Sequence, residues 1–457
     1  MKRQLFKAAI MFASLAGPAF GQNLRPGQNV RAIVGARIQV NPTTVIENGT
    51  VLIANGVISQ VGASVTIPPG AERIDGKGLV VYAGFVDGYT NLGTKTWSDA
   101  PRQDTQPDIT ADVVTQMRSG AFTNFADILG ADVYNPDDDV WKGYRSSGFT
   151  TALVSPSGGV IQGTGSLINL DGQPRRFSVV QPASGISVRL EGQGSVYPGT
   201  RLGAYATLRQ SFLDSERWEA SHNAFRAGSA YRALNDPNLA ALISKIPLLI
   251  QASSIAEIDR TLDLAAELKR RPILIGAAQG WKGIERIKSE KCGLLLSLAF
   301  GQEPFPATKT PAKPPTPDSD EPEESPGKKQ EDQRIWLEKV QNPILLSKAG
   351  VPFGFTTLGS KNPGEFFANL RRCLKEGLPK EAAIAALTVT PSALCGLDKV
   401  LGTIEPGKIA DLTILTGDLA DENSKVKWLI IDGAKIDPDP STPKPVIVPR
   451  VTVEGSK

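Results

Sequence analysis

The chain has 457 residues, 40% of them hydrophobic, enough for one barrel-sized domain and a smaller one, each around its own core. Fifty basic residues against 47 acidic ones leave a formal charge of +3, so no overall field draws in nucleic acid or anionic lipid. His222 is the single histidine, which excludes a histidine-rich catalytic metal site. Cys292, Cys373 and Cys395 have spacings unlike a zinc ribbon or a redox pair, and leave one disulfide or buried free thiols equally open.

At the start of the chain, Lys2, Arg3 and Lys7 precede the apolar residues 8–15, and Ala19-Phe20-Gly21 forms a small-residue cleavage site before Gln22. Residues 1–21 are therefore expected to be a cleaved signal peptide, and the mature protein to be soluble and periplasmic or secreted. No cysteine follows the site to carry a lipid, and no later run approaches the roughly 18 apolar residues of a membrane span.

Residues 30–82 read as short strands broken by turns, with Asn55-Gly56 and Asp75-Gly76 as hairpin signals. From Gly84 onward, strand-like runs alternate with helical stretches. The clearest strands are at 150–155, 248–251, 273–276, 294–298 and 353–356. Residues 255–268 show the helical pattern: Ile258, Leu262, Leu264, Ala265 and Leu268 share one face, while Glu257, Asp259 and Arg260 stay wet. This rhythm predicts an α/β fold, a TIM-like (β/α)8 barrel over residues 83–395. Residues 302–333 interrupt it with eight prolines and mixed charge, and read as a disordered, exposed insert in a barrel loop. Short strands return at 412–415 and 428–431, with Asp432-Gly433 as a turn. Both ends of the chain thus look alike, which predicts a small composite β-sandwich domain built from residues 28–82 and 396–436. The tail 437–457, with five prolines, is expected to be extended.

Three segments carry a family resemblance. Val80-Val81-Tyr82-Ala83-Gly84-Phe85-Val86-Asp87-Gly88-Tyr89-Thr90-Asn91-Leu92-Gly93 resembles the first barrel strand of the metal-dependent amidohydrolase superfamily, V-x-PG-[FL]-[IV]-D-x-H-x-H-x-G. Gly402-Thr403-Ile404-Glu405-Pro406-Gly407-Lys408-Ile409-Ala410-Asp411-Leu412 is similar to that family's closing segment, G-x-[IL]-x-x-G-x-x-A-D-[LI]. Residues 49–62 resemble its opening hairpin. In this order and at this separation the three frame nearly the whole mature chain. The likeness is greatest to imidazolonepropionase-like and prolidase-like members.

The resemblance implies zinc or another divalent metal at the C-terminal mouth of the barrel, held by imidazoles and carboxylates, lowering the pKa of a bound water. Carried over one position at a time, the first-strand histidines fall on Tyr89 and Asn91, both feeble ligands. The next ligand positions hold Gln251 and Ser253, then Gly276. The metal-binding aspartate falls on Leu358, after Thr356 and Thr357. No metal or other cofactor is expected. The same strand-end residues, Tyr89, Asn91, Gln251, Ser253, Gly276, Thr356, Thr357 and Leu358, are candidates to line a neutral, hydrogen-bonding pocket that either takes a small polar molecule or closes on itself.

Asp87 matches the aspartate that precedes the ligand pair. It reads first as a structural group at a strand end, and as a weak candidate for a catalytic base. Asp137, Asp138 and Asp139 could offer oxygens to a hard cation, but Asn135-Pro136 before them favours the start of a helix. Residues 155–165 could present backbone N–H groups to an anion. They lack a P-loop lysine and a following helix, which favours a tight hairpin. His222 lies in a charged, aromatic helical stretch and reads as an ordinary surface histidine. No G-x-S-x-G elbow is present.

Two functions follow from the resemblance. One is an exported protein without metal-dependent hydrolysis that binds a ligand or a partner, either its own copy or an active amidohydrolase paralogue. The other is a hydrolase of carbon–nitrogen, non-peptide bonds working through an unconventional or metal-poor site.

Overall fold

A computed structural model describes residues 30–94, 124–192, 198–229, 236–304 and 325–438. The expected signal peptide, most of the proline-rich insert and the tail beyond 438 lie outside the described residues.

Two sheets organise the chain. The first joins its two ends. Strands β1 (Val30–Gln39), β2 (Val45–Ala54), β3 (Val57–Gly62), β4 (Glu72–Asp75) and β5 (Val80–Ala83) come from the start of the described chain. Strands β14 (Leu412–Leu415), β15 (Val426–Ile431) and β16 (Ala434–Ile436) come from its end. Their order is β16-β15-β14-β5-β1-β2-β3, with β4 also on β1. Strand β1 pairs with β2 along one edge and serves two partners along the other: Arg31 to Val34 pair with β4, and Arg37 to Gln39 pair with β5. The change falls at a bulge where Gly35 takes φ +75°, a conformation that costs glycine little. The expected sandwich is thus one hydrogen-bonded sheet whose strands share a core of Ile33, Ile53, Val81, Leu412, Ile414 and Ile430.

The second sheet runs in chain order through β6 (Phe85–Thr90), β7 (Phe149–Val154), β8 (Ile161–Asn169), β9 (Val179–Arg189), β10 (Leu248–Ala252), β11 (Pro272–Gly276), β12 (Gly293–Ser297) and β13 (Gly354–Thr356). It is a nearly closed barrel. The expected (β/α)8 pattern needs correction, because β8 is antiparallel to both β7 and β9 while the other pairings are parallel. The reason is the short link through residues 155–160. A parallel crossover needs a dozen residues or more, so a hairpin forms instead. The seam between β6 and β13 is bridged by side chains: Thr356 Oγ1 donates to Tyr89 O at 2.5 Å, and Thr357 N donates to Asp87 Oδ1 at 3.1 Å.

The barrel is filled, not hollow, by Val86, Leu153, Leu167, Leu249, Ile273 and Leu295. Outside it, helix Ile255–Glu267 shows how sequence sets packing. Ser254 and Glu257 form a reciprocal capping box, and Ile258, Leu262 and Ala265 are buried. A second correction concerns the insert. Residues 326–333, expected within its disordered stretch, begin helix Pro326–Lys348. Ser325 caps it by accepting Lys328 N–H, Pro326 fits the first turn, and Arg334 pairs with Glu331 and Glu338. Composition alone overlooked that cap.

The two sheets meet where Gly84 N donates to Asp411 O at 2.7 Å. A Cβ at Gly84 would lie 2.2 Å from Thr150 Oγ1, so the approach requires glycine. All three cysteines are buried free thiols, each pushed by burial up to about 12. Among the described residues, no helix is long and apolar enough to cross a membrane.

Candidate functional site

At the barrel mouth four neutral side chains from four strands are tied into one chain. Gln251 Nε2 on β10 donates to Tyr89 OH on β6 at 3.3 Å, and that hydroxyl lies 2.8 Å from Ser187 Oγ on β9. Ser187 Oγ donates to Gln162 Oε1 on β8 at 3.0 Å, and Tyr89 OH lies 3.3 Å from the same oxygen. Tyr89, Gln162 and Ser187 are buried. A phenol in an apolar lumen must pair its hydroxyl, and here the pairing is complete without a charge. Tyr89 reaches the lumen because the β6–β7 ladder is irregular between Asp87 and Thr90, which re-aims the strand end.

Asp87 belongs to a second network, on the wall of the barrel. Its Oδ1 accepts Tyr89 N at 3.2 Å and Thr357 N at 3.1 Å, and its Oδ2 accepts Thr357 Oγ1 at 2.5 Å. Thr357 Oγ1 is 2.6 Å from Tyr144 OH on helix Val140–Ser146, and Tyr144 OH is 2.9 Å from Thr90 Oγ1. Full burial pushes Asp87 up to about 6, against the donors from Thr357, Tyr89 and Tyr144 that favour its ionised form. Burial, with Asp87 nearby, holds the Tyr144 phenol well above its usual range. The carboxylate thus fastens β6 to β13 and to an outer helix.

The remaining candidates are scattered. Asn91 is half-buried just beyond β6, its carbonyl accepting Thr94 Oγ1 at 2.7 Å. Ser253 is exposed, its backbone N–H held by Glu257. Gly276 ends β11 with φ +93°, a conformation L side chains rarely adopt, and follows the lumen residue Ile275, so strand alternation turns it away from the lumen. Thr356 is spent on the Tyr89 carbonyl and on Leu358 N. Leu358 packs against the lumen cluster, and its carbonyl accepts Ser297 Oγ.

Gln162, Ser187 and Tyr144 were not among the sequence candidates. Gln162 stands in the run that read as a hairpin, and an antiparallel return to the mouth was the signal that could have found it. Residues 179–189, which hold Ser187, carried no clear strand pattern.

Asp138 accepts Val140 N and Asp139 pairs with Lys142 at 2.6 Å, as acids do at a helix start. His222 stacks on Trp218 at 3.7 Å between centroids and bonds to the Trp218 carbonyl, one turn back along helix Arg201–Arg226. The run 155–165, which could present N–H groups to an anion, is taken up by the hairpin joining β7 to β8.

Among the described residues, those at the mouth do not fit the divalent ion that the family resemblance implies. The described residues meeting there are a phenol, a hydroxyl and two carboxamides, already paired with one another, and the carboxylate of Asp87 is held by three donors on the wall. Among the described residues, no three His, Cys, Asp or Glu side chains gather in a ligand-like group.

Comparison with known proteins bears on the fold. Residues 338–436 match the amidohydrolase family. The structure is similar to that of an amidohydrolase from Thermotoga maritima MSB8, with a TM-score of 0.70 and 20% identity over 88% of this chain and 98% of that one. It is also similar to a Xaa-Pro dipeptidase with bound methionine in its active site, with a TM-score of 0.52 and 13% identity over 89% and 100%. A third likeness is to molinate hydrolase, with a TM-score of 0.51 and 15% identity over 94% and 99%. No curated protein matches the chain by sequence.

Proposed function

We propose that this chain is an exported member of the amidohydrolase superfamily that has lost metal-dependent hydrolysis and binds either a small polar ligand at its barrel mouth or a partner protein. The observation that carries this reading is Tyr89. It stands where the family resemblance calls for a ligand histidine, and its hydroxyl is bound to Gln162, Ser187 and Gln251. Leu358, at the position of the family's aspartate, offers only an aliphatic side chain to the lumen. The matched segment 338–436 and the shared fold support the superfamily. The basic start, apolar stretch and small-residue site over residues 1–21 support export. An active amidohydrolase paralogue or a second copy of the chain is the partner class this reading favours.

The test is elemental analysis of the purified protein beside a turnover screen on imides, lactams and dipeptides, alone and with any co-purifying protein. Substoichiometric zinc, iron and manganese with no turnover is the expected result. A full equivalent of metal with amide hydrolysis overturns it.

The rival reading is a carbon–nitrogen hydrolase with Asp87 as its base. What favours it is the carboxyl's rise to about 6, near the range of a working base. It ranks second because the carboxylate is fully engaged by Thr357 and Tyr89 on the wall side.

A further inference from the structure

We propose a second ligand site at the opposite end of the barrel, in the cleft between the starts of its strands and the C-terminal strands of the β domain, built for a small organic anion with an apolar body. The cleft has a volume of 390 Å³, within the span of small-molecule sites, about 300–1,000 Å³. Its floor is apolar, formed by Phe85, Phe367, Leu415, Leu419 and Val426. Arg371 and Lys425 stand among the lining residues, and no acid lines the cleft among the described residues.

Three observations point to an anion. Arg371 spends its guanidinium on two long contacts, Nε to Leu419 O at 3.4 Å and Nη2 to Ser424 O at 3.5 Å, which leave most of its donor capacity unused. Among the described residues, neither Arg371 nor Lys425 takes part in an ion pair, and Glu422, the carboxylate that feels Arg371, is bonded to Lys375. Ser424 lines the cleft, is 8% exposed, and its hydroxyl has no partner among the described residues. A buried hydroxyl without a partner is costly, and a turn of the Ser424 side chain toward the cleft would let a bound carboxylate accept from it and from the guanidinium together. The apolar floor would cover the rest of such a molecule. Nothing in this site depends on the barrel mouth, so the two proposals stand or fall separately.

The experiment is calorimetric titration of the full chain with octanoate, octan-1-ol and acetate. Octanoate is expected to bind saturably, with octan-1-ol and acetate each at least about tenfold weaker, since one lacks the charge and the other the apolar body. Lys425→Gln and Arg371→Gln are each expected to weaken octanoate about five- to tenfold, leaving octan-1-ol unchanged. Ser424→Ala should weaken octanoate about threefold. Arg371 also holds the turn carbonyls of Leu419 and Ser424, so Lys425→Gln, at an exposed side chain, decides the matter if Arg371→Gln misfolds. Equal affinity for octanoate and octan-1-ol, octanoate binding indifferent to Lys425→Gln, or no saturable octanoate binding would each overturn the site.

Discussion

The carboxylate of Asp87 and the backbone N–H of Thr357 lie 3.1 Å apart across the seam where β6 and β13 close the barrel. Ladder hydrogen bonds do not zip these two strands, so the closure rests on side chains reaching across: Asp87 to Thr357 in one direction, Thr356 to the Tyr89 carbonyl in the other. A residue that family resemblance puts beside catalysis is in this chain a fastener.

Asp87→Ala should therefore act on stability. It would strand three buried donors, the N–H groups of Tyr89 and Thr357 and the Thr357 hydroxyl. A loss of about 3 kcal/mol is expected, read as a lower urea midpoint with unchanged slope. Asp87→Asn keeps one acceptor oxygen and should cost about 1 kcal/mol. A midpoint unmoved by Asp87→Ala would remove the fastening role.

The same carboxyl gives a pH signature. Its pKa is raised from 3.8 to about 6 in the folded protein, chiefly by burial. Between those values the unfolded chain has released the proton that the folded one keeps. Asp87 therefore contributes most below pH 3.8, and that contribution is lost as pH rises through 6, by about 3 kcal/mol in all. Glu257, Glu405 and Asp418 are shifted downward and act in the opposite sense, so the quantity to measure is the stability of the wild type minus that of Asp87→Asn. This difference should fall from pH 4 to 7. A flat difference would mean that Asp87 is not buried as described.

Much of this was legible in the sequence, and the failures have physical causes. The pairing of chain ends followed from Gly402 to Leu412 and from Val80 to Gly93, because a strand that must return to a sheet keeps its turn and alternation signals. The capped helix Ile255–Glu267 was legible through its apolar stripe. The reversal of β8 was only half visible: the hairpin after Ser155 could be read, but not its consequence for a parallel barrel. Ser187 and Tyr144 were out of reach, since single hydroxyls acquire meaning only once strands bring them beside Tyr89 and Asp87.

Gly84→Ala should be among the most damaging small substitutions. The added methyl would fall 2.2 Å from Thr150 Oγ1 and 3.1 Å from the Asp411 carbonyl carbon, at the hinge between barrel and β domain. Since Gly84 N also donates to Asp411 O, the backbone cannot back away without losing that bond. A cost of about 3 kcal/mol or more is expected, seen as poor soluble yield or a markedly lower Tm. Wild-type thermal stability would show that the two units are less tightly apposed.

The three thiols offer a test that needs no mutation. Cys292, Cys373 and Cys395 are buried and unpaired, and their pKa values near 12 keep them protonated. Native protein should react slowly with a thiol reagent, and denatured, unreduced protein should yield three equivalents. One equivalent after denaturation would reveal a disulfide and a different core.

Tyr89→Phe isolates the lumen chain. It removes one oxygen and leaves the ring in place, so packing against Val86, Leu249 and Leu295 is kept while Gln251 loses its acceptor and Ser187 a partner. Gln251 is only partly buried and can turn to water, whereas Ser187 still reaches Gln162. The expected cost is therefore modest, about 1 kcal/mol. If the mouth takes a polar ligand through this chain, Tyr89→Phe should abolish the thermal shift that ligand produces while moving the unliganded Tm by only a few degrees. If the four side chains serve solely to satisfy one another, the variant will lose the same stability with and without every polar compound tried.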